Sequence, residues 1–228
     1  MDVRGLGGSP AQVFKEQAIA VRILHVCQLG LPVYSASPDL FIRKKSPDHA
    51  PELALLEAFM AARVIIFVSP IYLHQVPAVF KGWLEYLSPL CHSFGLHHRY
   101  FLDIVHANSN GILPVSFYLR KIGSQMGMTH LEVFHFTDLY ETIDVDTGLR
   151  VLVKRVKEAL DGGCFRAVDN QESSFQVLKR VYMEGLVHGI TSVNHFGWRV
   201  LSGYDSYQDF LDHENLEQST FPKGDENE

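Results

Sequence analysis

Three segments of the sequence combine small polar side chains with residues that favour tight turns. They are Gly7-Gly8-Ser9-Pro10, residues 69–77 and residues 106–111. Each offers backbone N–H groups and short polar side chains, and none of them contains Asp, Glu, Lys or Arg. Such segments suit a flat, phosphorylated cofactor, because free N–H groups can surround a phosphate and turn residues let the backbone approach a ligand closely.

The stretches between these segments alternate between strand-like and helix-like patterns. Residues 64–68 are apolar throughout and stop at Ser69-Pro70, which is typical of a parallel strand covered on both faces. Hydrophobic spacing and turn residues predict strands over 21–26, 64–68, 100–106 and 131–136, and helices over 51–63, 77–87, 114–128, 148–160, 175–186 and 207–211. The repeated order of strand, loop and helix predicts a parallel sheet with right-handed crossovers. Ligands of such sheets bind outside the carboxyl ends of the strands, where the second and third segments lie.

Composition excludes several other classes of protein. A chain of 228 residues with 46% hydrophobic and 20% charged residues fits one globular domain. The net charge of −6 argues against a nucleic-acid binder. Three scattered cysteines (Cys27, Cys91, Cys164) favour a reducing compartment over a disulfide framework. No apolar run approaches a membrane span, and the first ten residues lack the pattern of a signal peptide, so we expect a cytoplasmic protein.

The stretch from Leu31 to Ser88 contains a more specific pattern. Leu31-Pro32-Val33-Tyr34 is followed by the run 63–72, which ends in Ser69-Pro70-Ile71-Tyr72, and then by Pro77-Ala78-Val79-Phe80-Lys81 with Leu84, Leu87 and Ser88. This combination resembles the NADPH-dependent FMN reductases of the flavodoxin-like fold, a family that includes quinone, chromate and azo-dye reductases. The resemblance implies an α/β, three-layer sandwich with a doubly wound parallel sheet of five strands over residues 1–163.

The resemblance also implies roles for the three segments, with FMN and NADPH as cofactors. Gly8, Ser9 and Pro10, together with Gly7, would hold the FMN phosphate. The isoalloxazine ring would be wrapped by Pro70, Ile71, Tyr72, Leu73 and His74, and its pyrimidine edge would face Ala107, Asn108, Ser109, Asn110 and Gly111. The flavin would carry the chemistry, passing hydride from the nicotinamide through N5 to an acceptor, so no catalytic side chain is expected beyond a hydrogen bond from His74.

Two registers are open for the start of the sheet. In the preferred register the first strand precedes Gly7 and residues 21–26 form the second strand. In the alternative, residues 21–26 form the first strand and Cys27 to Gly30 its loop. Residues 11–16 lack the Ser, Thr, Asn or Arg residues with which family members hold the phosphate. We therefore expect either that the start of the chain is shortened, or that the pocket is remodelled and FMN binding is weakened or lost.

Two clusters have competing interpretations. Cys91, His92, His97 and His98 include metal-ligating residue types, but their spacing matches no standard motif, so a helix-to-strand connector is favoured and no metal is expected. Arg43-Lys44-Lys45 could meet the 2′-phosphate of NADPH, although three charges in a loop are usually only solvated.

Residues 164–228 form a C-terminal extension that ends in an acidic tail. It is expected to belong to the same domain, or to act as a lid or dimer element, because His195, Phe196, Trp198 and Tyr204 could cap the flavin face or contact a second subunit.

The sequence therefore predicts an FMN-dependent NAD(P)H oxidoreductase. Its acceptor would be a small aromatic or quinone-like molecule, a biosynthetic tailoring step is one option, and a homodimer is the default of the resembled family. The alternative is a flavodoxin-like protein that has lost FMN and acts as a binding or scaffold partner. Neither interpretation involves nucleic acid or a membrane.

Overall fold

The computed structural model describes residues 10–30, 50–137, 145–189 and 195–220. Three strands lie in this part of the chain, β1 (Val64–Pro70), β2 (Tyr100–Ala107) and β3 (Thr129–Thr137). The helices are α1 (Pro10–Glu16), α2 (Ala50–Ala61), α3 (Ala78–Tyr86), α4 (Ser88–Cys91), α5 (Ile112–Gln125), α6 (Val145–Gly162), α7 (Asp169–Val187), α8 (His195–Leu201) and α9 (Tyr207–Thr220). None of the described helices is long and apolar enough to cross a membrane.

The strands form one parallel sheet in the order β1-β2-β3. Val64 lies beside Tyr100 and Pro70 beside His106, so the carboxyl ends of β1 and β2 are level. Ala107 pairs with Thr137 at the same end of β3. The strands predicted over 64–68, 100–106 and 131–136 are confirmed, and so are the helices predicted between and after them, with shifts at their ends. The predicted sheet had five strands, whereas the described residues contain three; the strand expected before Gly7 lies outside them.

The strand predicted over residues 21–26 is wrong. Residues 19–25 form no strand, and Val26–Gln28 form a 3-10 turn. Leu24, Val26 and Leu29 pack on the core through their side chains, while Val21 and Ile23 stay 42% and 54% exposed. Strand propensity reflects how well residues fit a paired, pleated surface, and here Leu24, Val26 and Leu29 reach the core without a strand partner. Both registers used this strand, so neither is correct for residues 21–26.

Helices cover both faces of the sheet. On one face Phe67, Phe101 and Val105 pack beneath α3 and α5 in a first core cluster. On the other face Leu102 packs with Phe14 of α1 and with Leu152, Val153 and Val156 of α6. Gly123 lets α5 approach the sheet, since a Cβ at this position would lie 2.5 Å from the ring of Phe101. The described residues therefore form helix, sheet and helix layers of a doubly wound α/β fold.

The C-terminal extension packs at the amino-terminal end of the sheet. Its apolar side chains join Phe94 and Tyr100, the first residue of β2, in a further core cluster, and they include Phe175, Tyr182, Trp198, Leu201, Tyr207, Phe210 and Leu211. The Tyr207 hydroxyl donates a hydrogen bond to the Gly127 carbonyl at 2.7 Å, and the buried Gln171 amide donates to the carbonyls of Ser124 and Met128.

This placement corrects the expectation for Trp198. Trp198 is only 2% exposed, and its indole donates to the carbonyl of His92, so it is core rather than free surface. The described part of the extension does not cover the two loops predicted to contact the flavin in the same chain, because those loops follow the opposite ends of the strands. The helix predicted over 207–211 extends to Thr220, which makes the first part of the acidic tail helical.

Candidate active site

The loops that follow β1 and β2 begin side by side. Pro70 and His106 are register partners, and the Ile71 N–H donates to the His106 carbonyl at 3.0 Å. Behind them Ser69 is buried, with its hydroxyl donating to the Pro70 carbonyl at 2.8 Å. The two segments predicted to contact the flavin ring therefore leave the sheet at one point.

The loop after β1 contains a tight turn. The backbone groups of Tyr72 and Gln75 exchange two hydrogen bonds, of 2.9 and 3.0 Å. Between them Leu73 and His74 both have positive φ, +50° and +61°, as a type I′ turn requires. Left-handed conformations cost non-glycine residues about 1–2 kcal/mol each. Strain of this kind clusters at ligand-binding positions, where the surrounding structure maintains it.

This turn presents apolar surface outward. Tyr72 is 63% exposed and Leu73 is 96% exposed, whereas Pro70 and Ile71 are half-buried. His74 is also exposed. An exposed aromatic ring beside an exposed aliphatic side chain is a surface on which a flat conjugated molecule can lie.

The loop after β2 touches this turn through Gly111. A Cβ at position 111 would lie 3.0 Å from Nδ1 of His74 and 3.1 Å from Cγ2 of Ile71. Gly111 also has φ +87°, and α5 begins at the next residue. A side chain is therefore disfavoured twice at this position, by backbone conformation and by contact. Gly111 is the point at which the structure brings the two predicted loops together.

The rest of this loop is polar and accessible. Ala107 is buried at the end of β2, and Asn108, Ser109 and Asn110 are exposed. Gly111 provides no side-chain cap for α5, so the first backbone N–H groups of the helix are not held by a local side chain. Amides, a hydroxyl and N–H donors are the groups that an imide-like ring edge would pair with.

The predicted phosphate loop lies mostly outside the described residues, which do not include Gly7, Gly8 or Ser9. Pro10 is the first residue of α1, a position where proline is favoured because its missing N–H has no helical partner. Arg43, Lys44 and Lys45 also lie outside the described residues.

A charged pair on α3 and a tyrosine on α5, the two helices behind the loops, add to the predicted pattern. Lys81 of α3 donates to Glu85 at 2.6 Å, and this bond raises the pKa of Lys81 against the opposing effect of burial. Lys81 also interacts with the hydroxyl of Tyr118 on α5, and burial raises the pKa of Tyr118. The three groups join α3 to α5, which fixes the loops that enter these helices. Sequence reasoning included Lys81 in the motif but missed Tyr118.

A buried Asp–His pair was also missed. Asp103 of β2 is fully buried and lies 3.1 Å from Nε2 of His130 on β3, while its second carboxylate oxygen has no hydrogen-bond partner among the described residues. The signal was present, because Asp103 is the only charged residue in the apolar run 100–105. It lies within the sheet, below the two loops.

His97 and His98 belong to aromatic packing. Their rings contact Phe210 of the extension, and His98 also contacts Phe165. Burial lowers the pKa of His97, and burial together with His97 and Arg99 lowers the pKa of His98 to about 3. Burial raises the pKa of the Cys91 thiol to about 12. Within the described part of the chain, no group of three or more His, Cys, Asp or Glu side chains is arranged to hold a metal ion.

The lowered histidine pKa predicts acid sensitivity of this packing. An unfolded histidine takes up a proton near pH 6.5, whereas folded His98 stays neutral down to about pH 3, so stability is full above pH 6.5 and falls as the pH drops. The limiting slope is about 1.4 kcal/mol per pH unit for each such histidine. Urea unfolding at pH 7 and pH 5 should show this loss, and His98→Asn, which tolerates the positive φ, should reduce it. If the free energy of unfolding falls equally between pH 7 and pH 5 in the wild type and in His98→Asn, the lowered pKa of His98 is contradicted.

Comparisons with known proteins agree with the sequence pattern. Residues 3–138 match a family model described as NADPH-dependent FMN reductase. No curated protein matches the chain significantly. Similar solved structures include an apo NADH:FMN oxidoreductase, EMOB, with 20% identity over 71% of this chain and 80% of that chain (TM-score 0.47). RosB with a bound intermediate is 11% identical over 95% of this chain and 83% of that chain (TM-score 0.48). An NADPH-quinone reductase from P. pentosaceus is 13% identical over 66% of this chain and 89% of that chain (TM-score 0.42).

Proposed function

Because the chain belongs to the NADPH-dependent FMN reductase family, we propose that it reduces a small aromatic or quinone-like acceptor. The class of enzyme follows from the family: the chain is a flavodoxin-like, NAD(P)H-dependent flavin oxidoreductase, and its cofactors are FMN and NAD(P)H. The observation that supports the finer proposal is the contact of Gly111 with Ile71 and His74, which joins the two loops into one accessible surface beyond the strand ends.

The residues around this contact fit a flavin ring. Pro70, Ile71, Tyr72, Leu73 and His74 offer a strained, accessible turn with apolar side chains, which would lie against the ring. Ala107, Asn108, Ser109, Asn110 and Gly111 offer donors and acceptors for its pyrimidine edge. When bound, FMN supplies hydride transfer between the nicotinamide and the acceptor. The protein's own part is to position both molecules and to hold them close together.

The phosphate would be held by Gly8, Ser9 and Pro10, of which Pro10 is the first residue of α1. This part of the proposal rests on the family pattern. Ala11 and Gln12, the next residues of α1, add only one polar side chain, which favours the alternative that FMN has been lost and the chain serves as a binding or scaffold partner. Retention of FMN by the purified protein separates the two functions.

The chemistry of the loops favours a conjugated acceptor. Residues 70–77 and 107–111 carry no carboxylate and no Lys or Arg, so they provide no ionic recognition of a charged substrate. Tyr72 and Leu73 instead provide apolar surface. A tailoring reaction on one biosynthetic intermediate remains within this proposal, supported only by the large C-terminal extension. The free cysteines support a reducing, cytoplasmic location as part of the same proposal.

Steady-state kinetics of Tyr72→Ala test the acceptor class. With FMN and NADPH kept saturating, we expect KM for a quinone to rise about fivefold, as the loss of one aromatic contact of about 1 kcal/mol requires. The rate with ferricyanide, which needs no stacking surface, should change by less than about twofold. Equal effects on both acceptors would contradict an aromatic acceptor contact at Tyr72.

We further propose a homodimer in which the outer face of α5 contacts a second copy. Leu113 and Phe117 lie one helical turn apart on this face and are 74% and 71% exposed, although both are large and apolar. Leu113 is two residues from Gly111, so a second subunit seated here would border the flavin loops.

Two charged substitutions test this interface. Leu113→Asp combined with Phe117→Asp should convert a dimer to a monomer by light scattering, because each buried carboxylate would lack a partner. The matched control is Val177→Asp with Val181→Asp on α7, where the side chains are 62% and 59% exposed. The control should leave the dimer intact. A wild-type monomer, or a dimer that survives the α5 substitutions, would contradict the interface.

A further inference from the structure

Asn110 and Gly111 form the only Asn-Gly pair of the sequence, and they lie in the loop after β2. The Asn110 side chain is exposed, and Gly111 has φ +87°. Neither the Asn110 side chain nor the Gly111 N–H makes a hydrogen bond with another described residue. Within the described structure, no hydrogen bond therefore restrains the side-chain amide or the backbone nitrogen that follows it.

These two neighbouring groups can react with each other. The backbone nitrogen after an asparagine can attack the side-chain carbonyl carbon, because the chain itself holds the two atoms close enough to close a five-membered ring. A following glycine has no Cβ to obstruct ring closure. The nitrogen must give up its proton, and the Gly111 N–H has no hydrogen-bond acceptor to lose among the described residues. The amino-terminal end of α5, which begins at Ile112, favours the negative charge that develops there.

We propose that Asn110 is a site of spontaneous deamidation, and that this modification weakens FMN binding by the loop. The Gly111 nitrogen loses its proton and attacks Cγ of Asn110, so a C–N bond forms and the side-chain nitrogen leaves as ammonia. Water then opens the resulting succinimide at either of its carbonyls, which gives aspartate or isoaspartate. The net change consumes one water and releases one ammonia, and no electrons are transferred. A carboxylate thereby replaces an amide at position 110.

The effect on FMN rests on the proposed function, in which Asn110 faces the pyrimidine edge of the flavin. An amide offers that edge both donors and an acceptor, whereas a carboxylate only accepts and would repel the carbonyl oxygens of the edge. Isoaspartate also adds a methylene group to the backbone directly before Gly111, whose contacts with Ile71 and His74 join the two loops. Both products should therefore weaken the flavin site.

Asn108 provides an internal control, because it is exposed in the same loop but is followed by Ser109. The apoprotein is incubated at mildly alkaline pH, and deamidation is mapped by mass spectrometry of the tryptic peptide 100–120. We expect Asn110 to deamidate about tenfold faster than Asn108, because Gly111 lacks the Cβ of Ser109. The rate at Asn110 should lie within about threefold of that in urea-unfolded protein, since no described hydrogen bond has to break. Equal rates at the two asparagines, or strong protection of Asn110 by folding, would overturn the proposal.

Asp161-Gly162, the only Asp-Gly pair of the sequence, is the control for hydrogen bonding of the backbone. Aspartate before glycine forms the same succinimide, but this pair ends α6, in which the backbone N–H groups are used by helical hydrogen bonds. Labelling with an isoaspartate methyltransferase should therefore mark residue 110 of the incubated apoprotein and leave residue 161 unmarked. Isoaspartate at 161 alone would overturn the proposal.

Asn110→Asp reproduces one product and tests its effect on FMN. We expect the dissociation constant for FMN to rise about tenfold, through the loss of a hydrogen-bond donor and the added repulsion. The thermal unfolding temperature should be unchanged or higher, because a carboxylate before the amino-terminal end of α5 is favourable. An unchanged FMN affinity would overturn the link between deamidation and the flavin. Deamidation itself is measured on the apoprotein, so a wild-type protein that binds no FMN would contradict the proposed function and not the modification site.

Discussion

Replacing Gly111 with alanine should raise the dissociation constant for FMN about tenfold, equivalent to about 1.4 kcal/mol. The residue has φ +87°, and a Cβ would lie 3.0 Å from His74 Nδ1 and 3.1 Å from Ile71 Cγ2. The added methyl group must therefore move the turn of residues 72–75 or the start of α5. Fluorescence titration of the apoprotein with FMN measures the change directly.

Gly189→Ala is the matched control for the cost of placing alanine at a positive φ. Gly189 also has positive φ, +66°, but a Cβ there would meet no atom within 4 Å. Both substitutions should lower the free energy of unfolding by about 1–2 kcal/mol, the cost of a left-handed alanine. Only Gly111→Ala should weaken FMN binding. An unchanged FMN affinity in Gly111→Ala would show that the contact between the two loops does not shape the flavin site.

Replacing His130 with leucine should lower the free energy of unfolding by about 3–5 kcal/mol at neutral pH. Asp103 is fully buried and has His130 as its partner at 3.1 Å, while its other oxygen is already unpaired. Removing the imidazole leaves a buried carboxylate without compensation. Because domains of this kind are stable by only about 5–15 kcal/mol, urea unfolding will resolve the change easily.

The double variant Asp103→Leu with His130→Leu distinguishes a pair from two independent side chains. Replacing both partners of a buried pair by apolar residues is often neutral, so we expect the double variant to recover most of the lost stability. Lys154→Ala, which breaks an exposed pair with Glu158 at 3.9 Å, should cost less than about 1 kcal/mol. Additive losses in the double variant would contradict the pairing.

The three described strands and the helices α2, α3, α5, α6, α7 and α9 could be predicted because their signals are local, whereas the short helices α4 and α8 were not predicted. The run 64–68 is short, apolar and rich in β-branched residues and stops at Ser69-Pro70, which favours a buried strand; in the structure it is a strand, but Val68 is 66% exposed. The apolar spacing in 148–160 matches a helix that buries one face. Residues 21–26 carry the same β-branched composition, yet they form no strand. Composition cannot reveal whether a pairing partner is present, and at this position Leu24 and Val26 pack on the core without one while Val21 and Ile23 stay exposed.

The candidate site could be predicted to the level of its two loops. The rule that ligands bind beyond the strand ends identified residues 70–74 and 107–111, and the structure brings these two loops into contact. The positive φ of Leu73 and His74 could not be predicted, because positive φ is uncommon for residues other than glycine and the closed turn imposes it here. The roles of Gly8, Ser9 and Pro10 stay predictions.

Contacts between residues far apart in the sequence were the hardest to predict. Trp198 looked like surface aromatic in the sequence, but it lies in a core built from residues about a hundred positions apart, with its indole bonded to His92. The Tyr118 contact with Lys81 and the pairing of Asp103 with His130 likewise join separate elements. In each case a single residue gave a hint, such as a charge within an apolar strand, but the partner became identifiable only in the fold.

Retention of FMN by the purified protein tests most directly whether it is an FMN-dependent oxidoreductase. The purified protein is incubated with excess FMN, freed of unbound cofactor, and its visible absorbance is recorded before and after NADPH or NADH is added without oxygen. An FMN-dependent oxidoreductase will retain the absorbance bands of oxidised flavin and lose them on reduction. A colourless protein, or retained flavin that neither nicotinamide bleaches, would contradict the proposed function, and the colourless result would favour a scaffold that has lost FMN.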